Sequence, residues 1–380
     1  MGADDMNIHE NNDHSQASAS EITMSAGRLQ PIAGWPLTYV AVIEGVCPGY
    51  LWKLMATRPQ WRHAAFAAFT QGILDDPEKF LNRVHGWIAP HGTWKEMIAE
   101  VGATLLRMRP REIIEAAMGS CPDGYLGLLD KCGFEALPED TYPCLHAIFG
   151  STDPKIRARK RCLEQLPDFQ EGYLAAVETL DPVLLTPGIV RRYQGEEAAS
   201  RLNASVSMIR LLVSNADDTA IRDSLEREER RPFPGWFCRW LQRADQPLPR
   251  KLPTDGLDFL ERVTPATARS IGQEFGNCLG RDPDGLSTQM VSGVMAMLVS
   301  REIGLLIEIV QAEDDSWFVR RVHARQNAEV TREHMRSVRE MLEPVGIKVM
   351  IAKSSPAELE PLLRELGSWR MPLFDLMDFD

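Results

Sequence analysis

The chain has 380 residues, 44% of them hydrophobic and 25% charged, with a formal charge of −12. This is the composition of a soluble globular protein with room for two or three domains, and its negative balance excludes attraction of the whole surface to nucleic acid or an anionic membrane. Seven cysteines, odd in number and without a C-x-x-C pair, argue against a disulfide framework or a zinc ribbon and for a reducing cytoplasm.

In chain order, residues 1–30 are polar, acidic and free of aromatic side chains. They cannot bury enough apolar surface to offset the entropy of ordering, so a disordered tail is expected, with His9 and His14 solvated rather than metal-bound. From 36 to 245 the apolar spacing is helical almost throughout. "DDPEKFLNRVHGWIA" and "STDPKIRARKRCLEQL" each place an acid or threonine before a proline and then an apolar period of three and four, the pattern of a capped helix start. "GEEAASRLNASVSMIRLLVS" opens on acids, which the helix dipole favours. Further helices are expected near 49–57, 61–74, 93–107, 110–119, 124–132, 168–180 and 216–229. In "RRPFPGWFCRWLQRA" the aromatic residues Phe233, Trp236, Phe237 and Trp240 are expected to anchor the chain in a core. No shared residue pattern marks a repeat, so an irregular helical domain is favoured over a solenoid.

"DQPLPRKLPTDG" is proline-rich, and residues 246–256 are taken as a linker. Beyond it, 257–380 reads as a small α+β domain. Thr264 caps a helix opened by Pro265. "GVMAMLVSR", "GLLIEIVQA" and "SWFVRRVHA" then form three strands whose short connections require an antiparallel meander. A helix over "TREHMRSVREMLEPVG", a strand "IKVMIAK" and a last helix "SPAELEPLLRELG" follow. The fold class is therefore α+β: a large all-helical region, then a small sheet-containing domain. No apolar run is long enough to span a bilayer, so no membrane contact is expected.

Between Ser316 and Arg339 lie six arginines and two glutamates, a net of +4 in an acidic chain. Arg320, Arg321, Arg325, Arg332, Arg336 and Arg339 are the candidate ligand-binding residues, because the guanidinium fork suits phosphates and carboxylates. The alternative is a solvated face paired with nearby acids. Strict alternation puts Phe318, Arg320, Val322 and Ala324 on one face of the strand and Trp317, Val319, Arg321, His323 and Arg325 on the other. Cys278, in "EFGNCLG", has three readings: a buried apolar residue, a structural pin at a helix end, or a nucleophile. As a nucleophile it would use His323 as base and Asn327 or Asn277 as the group orienting the imidazole. No phosphate loop, dinucleotide fingerprint or metal-ligand spacing is present, and no cofactor or metal is expected.

The stretch from about 250 to 345 resembles the PcfJ-like domain of conjugative plasmids and other mobile elements. "FGNCLG" stands where that family has a C-x-G turn. "RVHARQN" stands where the family has a Q-I-R-G-K-x-N-like stretch, with Arg325 at the basic position and Asn327 at the asparagine. His323 and Ala324 depart from the family's arginine and glycine. The resemblance implies an accessory protein of plasmid or phage biology that contacts a protein partner, with nucleic acid as a further ligand of the basic patch. It brings no established catalysis, and an enzyme using Cys278 and His323, a hydrolase or transferase, stays open as the alternative. Oligomeric state is not legible.

Overall fold

The computed structural model describes residues 29–85, 92–227, 233–246, 251–277, 279, 283–312 and 315–349. The expected tail with His9 and His14, the sulfur of Cys278, most of "IKVMIAK" and the last helix lie outside the described residues. The fold is α+β, and its contacts divide the chain into two compact units, residues 1–171 and 172–380.

The first unit is helical: α1 (Pro36–Glu44), α2 (Tyr50–Ala56), α3 (Pro59–Phe69), α4 (Pro77–His85), α5 (Trp94–Arg107), α6 (Pro110–Met118), α7 (Tyr125–Lys131), α8 (Thr141–Gly150) and α9 (Pro154–Gln165). Five of these open on proline, whose missing N–H costs nothing in a first turn and whose φ is already helical. Asp153 caps α9 as expected, accepting from the Lys155 N–H at 2.8 Å. Helix α3 is the centre of the unit, since every residue from Trp61 to Phe69 is buried. Its alanines let α6 and α7 pack closely on it.

The second unit begins with α10 (Glu171–Thr179), α11 (Pro187–Arg192), α12 (Glu196–Leu212), α13 (Asp218–Arg227) and α14 (Phe233–Leu241). It continues with β1 (Glu261–Arg262), α15 (Pro265–Phe275), α16 (Pro283–Ser292), β2 (Met295–Ser300), β3 (Leu305–Gln311), β4 (Trp317–Ala324), α17 (Arg332–Leu342) and β5 (Ile347–Lys348). The stretch 246–256 therefore falls inside this unit. Helix α14 packs on α16, and the Ala266 N–H reaches the Ala244 carbonyl at 3.0 Å.

The sheet order is β1-β2-β3-β4-β5. The first four strands are antiparallel, with the meander as expected, and β5 runs parallel to β4 after the crossover through α17. Both faces are covered, so β2 is buried along its whole length and alternation is lost from its sequence. One face, with Leu298, Ile307 and Trp317, packs against Val338 and Leu342 of α17. The other, with Met297, Leu306 and Val310, packs against Ile271 and Phe275 of α15 and Met290 of α16.

One expectation is corrected here. The β3–β4 register pairs Glu308 with Arg321 but Ile309 with Val319, so Arg320 is an extra residue in a β-bulge. A bulge shifts the side-chain parity along its strand. Trp317 and Val319 therefore share the α17 side with Val322 and Ala324, while Phe318 faces α15. The strict alternation drawn through "WFVRRVHA" fails at the doubled arginine.

Candidate functional site

The two stretches that carry the candidate residues meet. Helix α15 ends because Gly276 takes a left-handed conformation, φ +65°, which only glycine adopts without penalty. The Gly276 N–H bonds to the Gln273 carbonyl at 3.2 Å and the Asn277 N–H to the Gly272 carbonyl at 3.0 Å, a Schellman closure. Asn277 then accepts from the Leu279 N–H through Oδ1 at 3.1 Å, turning the chain. Onto this end docks the short 3-10 turn Arg325–Asn327 that follows β4. Asn327 donates from Nδ2 to the Gly276 carbonyl at 2.6 Å, and Arg325 Nη2 meets Glu274 Oε1 at 2.8 Å. The Arg325 guanidinium also lies over the Phe275 ring, 5.9 Å from its centre. Arg301 ties the same acid to the sheet edge, 3.0 Å from Glu274 and 2.8 Å from Glu261.

The contact is close at the backbone. A Cβ on Gly276 would stand 3.2 Å from Gln326 Cα. Gln326 and Asn327 have φ of +57° and +54°, two of the three left-handed non-glycine residues among those described. Backbone held this way costs energy and persists where the surroundings over-determine it. Gly276→Ala combines a left-handed alanine with this crowding, so a loss of about 1–2 kcal/mol in urea unfolding is expected. A variant as stable as the parent would show that the two segments separate readily.

His323 stands opposite Leu306 on β4 and is half-buried. Burial lowers its pKa, Arg321 lowers it further, and Glu308 opposes them. The imidazole is thus neutral near pH 7, but no hydrogen bond orients it among the described residues. The Asn327 amide is committed to Gly276, and Asn277 Nδ2 is buried without a partner. The structure therefore brings Asn327 to the end of α15 and does not join it to His323.

The six arginines divide evenly. Arg320 Nε lies 3.2 Å from Glu308, Arg325 pairs with Glu274, and Arg339 Nε lies 3.1 Å from Glu343. Arg321, Arg332 and Arg336 are exposed, with no carboxylate within 4 Å among the described residues. Glu308, Glu274, Arg301 and Glu261 complete this network and escaped sequence reasoning. Glu308 alone left a signal, as the single acid of the apolar strand "LLIEIV". It is only 6% exposed and stands opposite the bulged arginines.

His146 Nε2 contacts the Ser120 carbonyl at 2.8 Å. Burial pushes the thiols of Cys132 and Cys162 up to about 12 and about 11, so neither is a thiolate at neutral pH. No group of three or more metal-ligating side chains is assembled among the described residues, and none of their helices is long and apolar enough to cross a membrane. Comparison with family models, curated proteins and solved structures returns no match for the chain.

Proposed function

We propose that this is a binding protein whose sheet-containing region engages an acidic surface of a protein partner through Arg332 and Arg336 of α17. The observation that carries the proposal is that these two guanidinium groups are exposed and unneutralised among the described residues, in a chain of net charge −12. Arg321 is exposed as well but, next to Val322 of the α17 side, it projects from the opposite face of the sheet. Arg320, Arg325 and Arg339 serve the fold instead, each held by a carboxylate. On α17 the free arginines alternate with exposed Glu333 and Glu340, a mosaic suited to a complementary protein surface more than to a uniform row of phosphates. The resemblance of 250–345 to PcfJ-like domains supports a partner from plasmid or phage biology. The docking of "HARQN" onto the end of "EFGN" supports treating those two motifs as one structural unit, and Asn327's commitment to Gly276 favours binding over a Cys278–His323 enzyme.

Labelled poly-glutamate tests the proposal as a stand-in for an acidic polypeptide. The wild-type chain is expected to bind it in a salt-sensitive way, and Arg332→Glu/Arg336→Glu to lose that binding while retaining its circular dichroism spectrum. If the double variant binds as before, these arginines are a solvated face.

A further inference from the structure

The densest positive charge of the chain lies outside the arginine segment. Residues 155–161, "KIRARKR", hold five cations and no acid and form the first half of α9. Part of this charge serves α8. Arg157 donates from Nε and Nη2 to the Thr152 carbonyl at 3.1 and 2.8 Å, and Lys160 donates to the Phe149 carbonyl at 3.4 Å. The Phe149 carbonyl belongs to the last turn of α8, where cations are favoured, and Thr152 lies in the turn between α8 and α9. Lys160 also lies over the Phe149 ring and 3.9 Å from Glu164. Lys155 and Arg161 have no such duty: both are exposed, with no carboxylate within 4 Å among the described residues.

Two features set this helix apart from an ordinary solvated one. Its first turn contains no acid and its last turn no base. The cations thus crowd the end where the helix dipole is positive, an arrangement that costs stability. Its outward face also has no large exposed apolar side chain. Protein interfaces are anchored by buried aromatic and aliphatic groups, whereas a phosphodiester backbone needs only cations at its oxygens. Arg157 and Arg161 are one turn apart on the same face, and the two hydrogen bonds to Thr152 fix the Arg157 fork in advance.

We propose that α9 is a contact for the phosphate backbone of nucleic acid, with Lys155, Arg157 and Arg161 as the contacting residues. This site is independent of the arginine segment of the second unit. Because its contacts are to phosphate, it binds without regard to base sequence.

The test is fluorescence anisotropy of the full chain with a labelled mixed-sequence DNA duplex, titrated between about 50 mM and 200 mM salt. Lys155→Glu/Arg161→Glu is expected to weaken binding at least about tenfold and to reduce the salt slope by about two, one for each contact removed. Lys155→Arg/Arg161→Lys is expected to bind like wild type. Relieving the charge at the helix start leaves the melting temperature of the reversed variant unchanged or raised, so lost binding is not lost folding. Should that variant fail to fold, Lys155→Gln/Arg161→Gln carries the same test. Undiminished duplex binding by the reversed variant overturns the proposal. So does a wild-type chain that ignores the duplex, whether or not it adheres to phosphatidylserine vesicles through Lys155 and Arg161. Poly-glutamate binding by the arginine segment is scored separately, so either proposal can fail alone.

Discussion

Ser224→Ala is expected to cost about 3–4 kcal/mol, the largest single loss foreseen for a side chain this small. The Ser224 hydroxyl of α13 accepts from two indoles, Trp236 Nε1 at 2.8 Å and Trp240 Nε1 at 3.0 Å, and donates to the Ile221 carbonyl at 2.7 Å. A hydroxyl has one hydrogen and two lone pairs, so its bonding capacity is fully used. The tryptophans are 1% and 4% exposed, so little water can reach the indoles to replace the lost acceptor. Each orphaned buried donor costs about 1–3 kcal/mol, whereas removing both partners together is nearly neutral. Chemical unfolding measures the loss, and a double-mutant cycle assigns it. In a Trp236→Phe/Trp240→Phe background the serine substitution should cost less than about 1 kcal/mol. An equal cost in both backgrounds would mean the hydroxyl is not the joint acceptor.

That pair of tryptophans also shows what the sequence made legible. Indoles four residues apart share one helix face, so their anchoring role follows from spacing alone, and α14 buries both. Helix starts were legible for a similar reason: a cap followed by proline is a local chemical event. Thr264 before Pro265 caps α15, accepting from the Thr267 N–H at 3.3 Å. Helix α16 was not expected, because "RDPDG" carries the residues of a turn. Its formation rests on burial of Met290 and Val291 in packing against α14, α15 and β2, which outweighs the weak local propensity. Strand β1 spans two residues, too few for any periodicity.

The candidate site was legible in its residue types and not in its geometry. Alternation along "VRRVH" assumes one residue per step, and only the partner strand reveals that one arginine is extra. A period of two carries no mark of a bulge. The division of the six arginines into paired and free depends on Glu308, Glu274 and Glu343. Only the Arg339–Glu343 pair, four residues apart at the end of α17, is local enough to read from spacing. Glu274 lies fifty-one residues from Arg325. The sequence offers Asn327 as a group to orient an imidazole, yet its amide holds a helix terminus. Hydrogen-bond partners follow tertiary contacts that no spacing encodes.

Acid is expected to weaken the first unit through a group that no motif marked. His63 of α3 is fully buried, with Nε2 3.1 Å from the Gly133 carbonyl and Nδ1 2.8 Å from the Tyr142 hydroxyl. A carbonyl only accepts, so Nε2 carries the proton, and Nδ1 must accept from Tyr142, whose oxygen in turn accepts from the Leu137 N–H at 3.2 Å. Protonating Nδ1 would turn that acceptor into a donor facing a hydroxyl hydrogen. It would also bury a charge beside Arg62, whose guanidinium already donates to the carbonyls of Gln30 and Pro31. Burial, with Arg62 adding to it and the Gly133 bond opposing it, lowers the imidazole pKa to about 4 from an ordinary 6.5. The unfolded chain thus takes up a proton below pH 6.5 that the folded chain refuses until about pH 4. The contribution of His63 to stability is complete above pH 6.5 and is lost progressively as pH falls to 4. Over that window the loss is about 3 kcal/mol, at 1.36 kcal/mol per unit. Urea unfolding at pH 7, 5.5 and 4 reads it as the difference between wild type and His63→Gln, in which carboxylates common to both cancel. The wild-type curve should fall more steeply with acid. Parallel curves would show that the folded protein admits the proton and that the Tyr142 bond runs the other way.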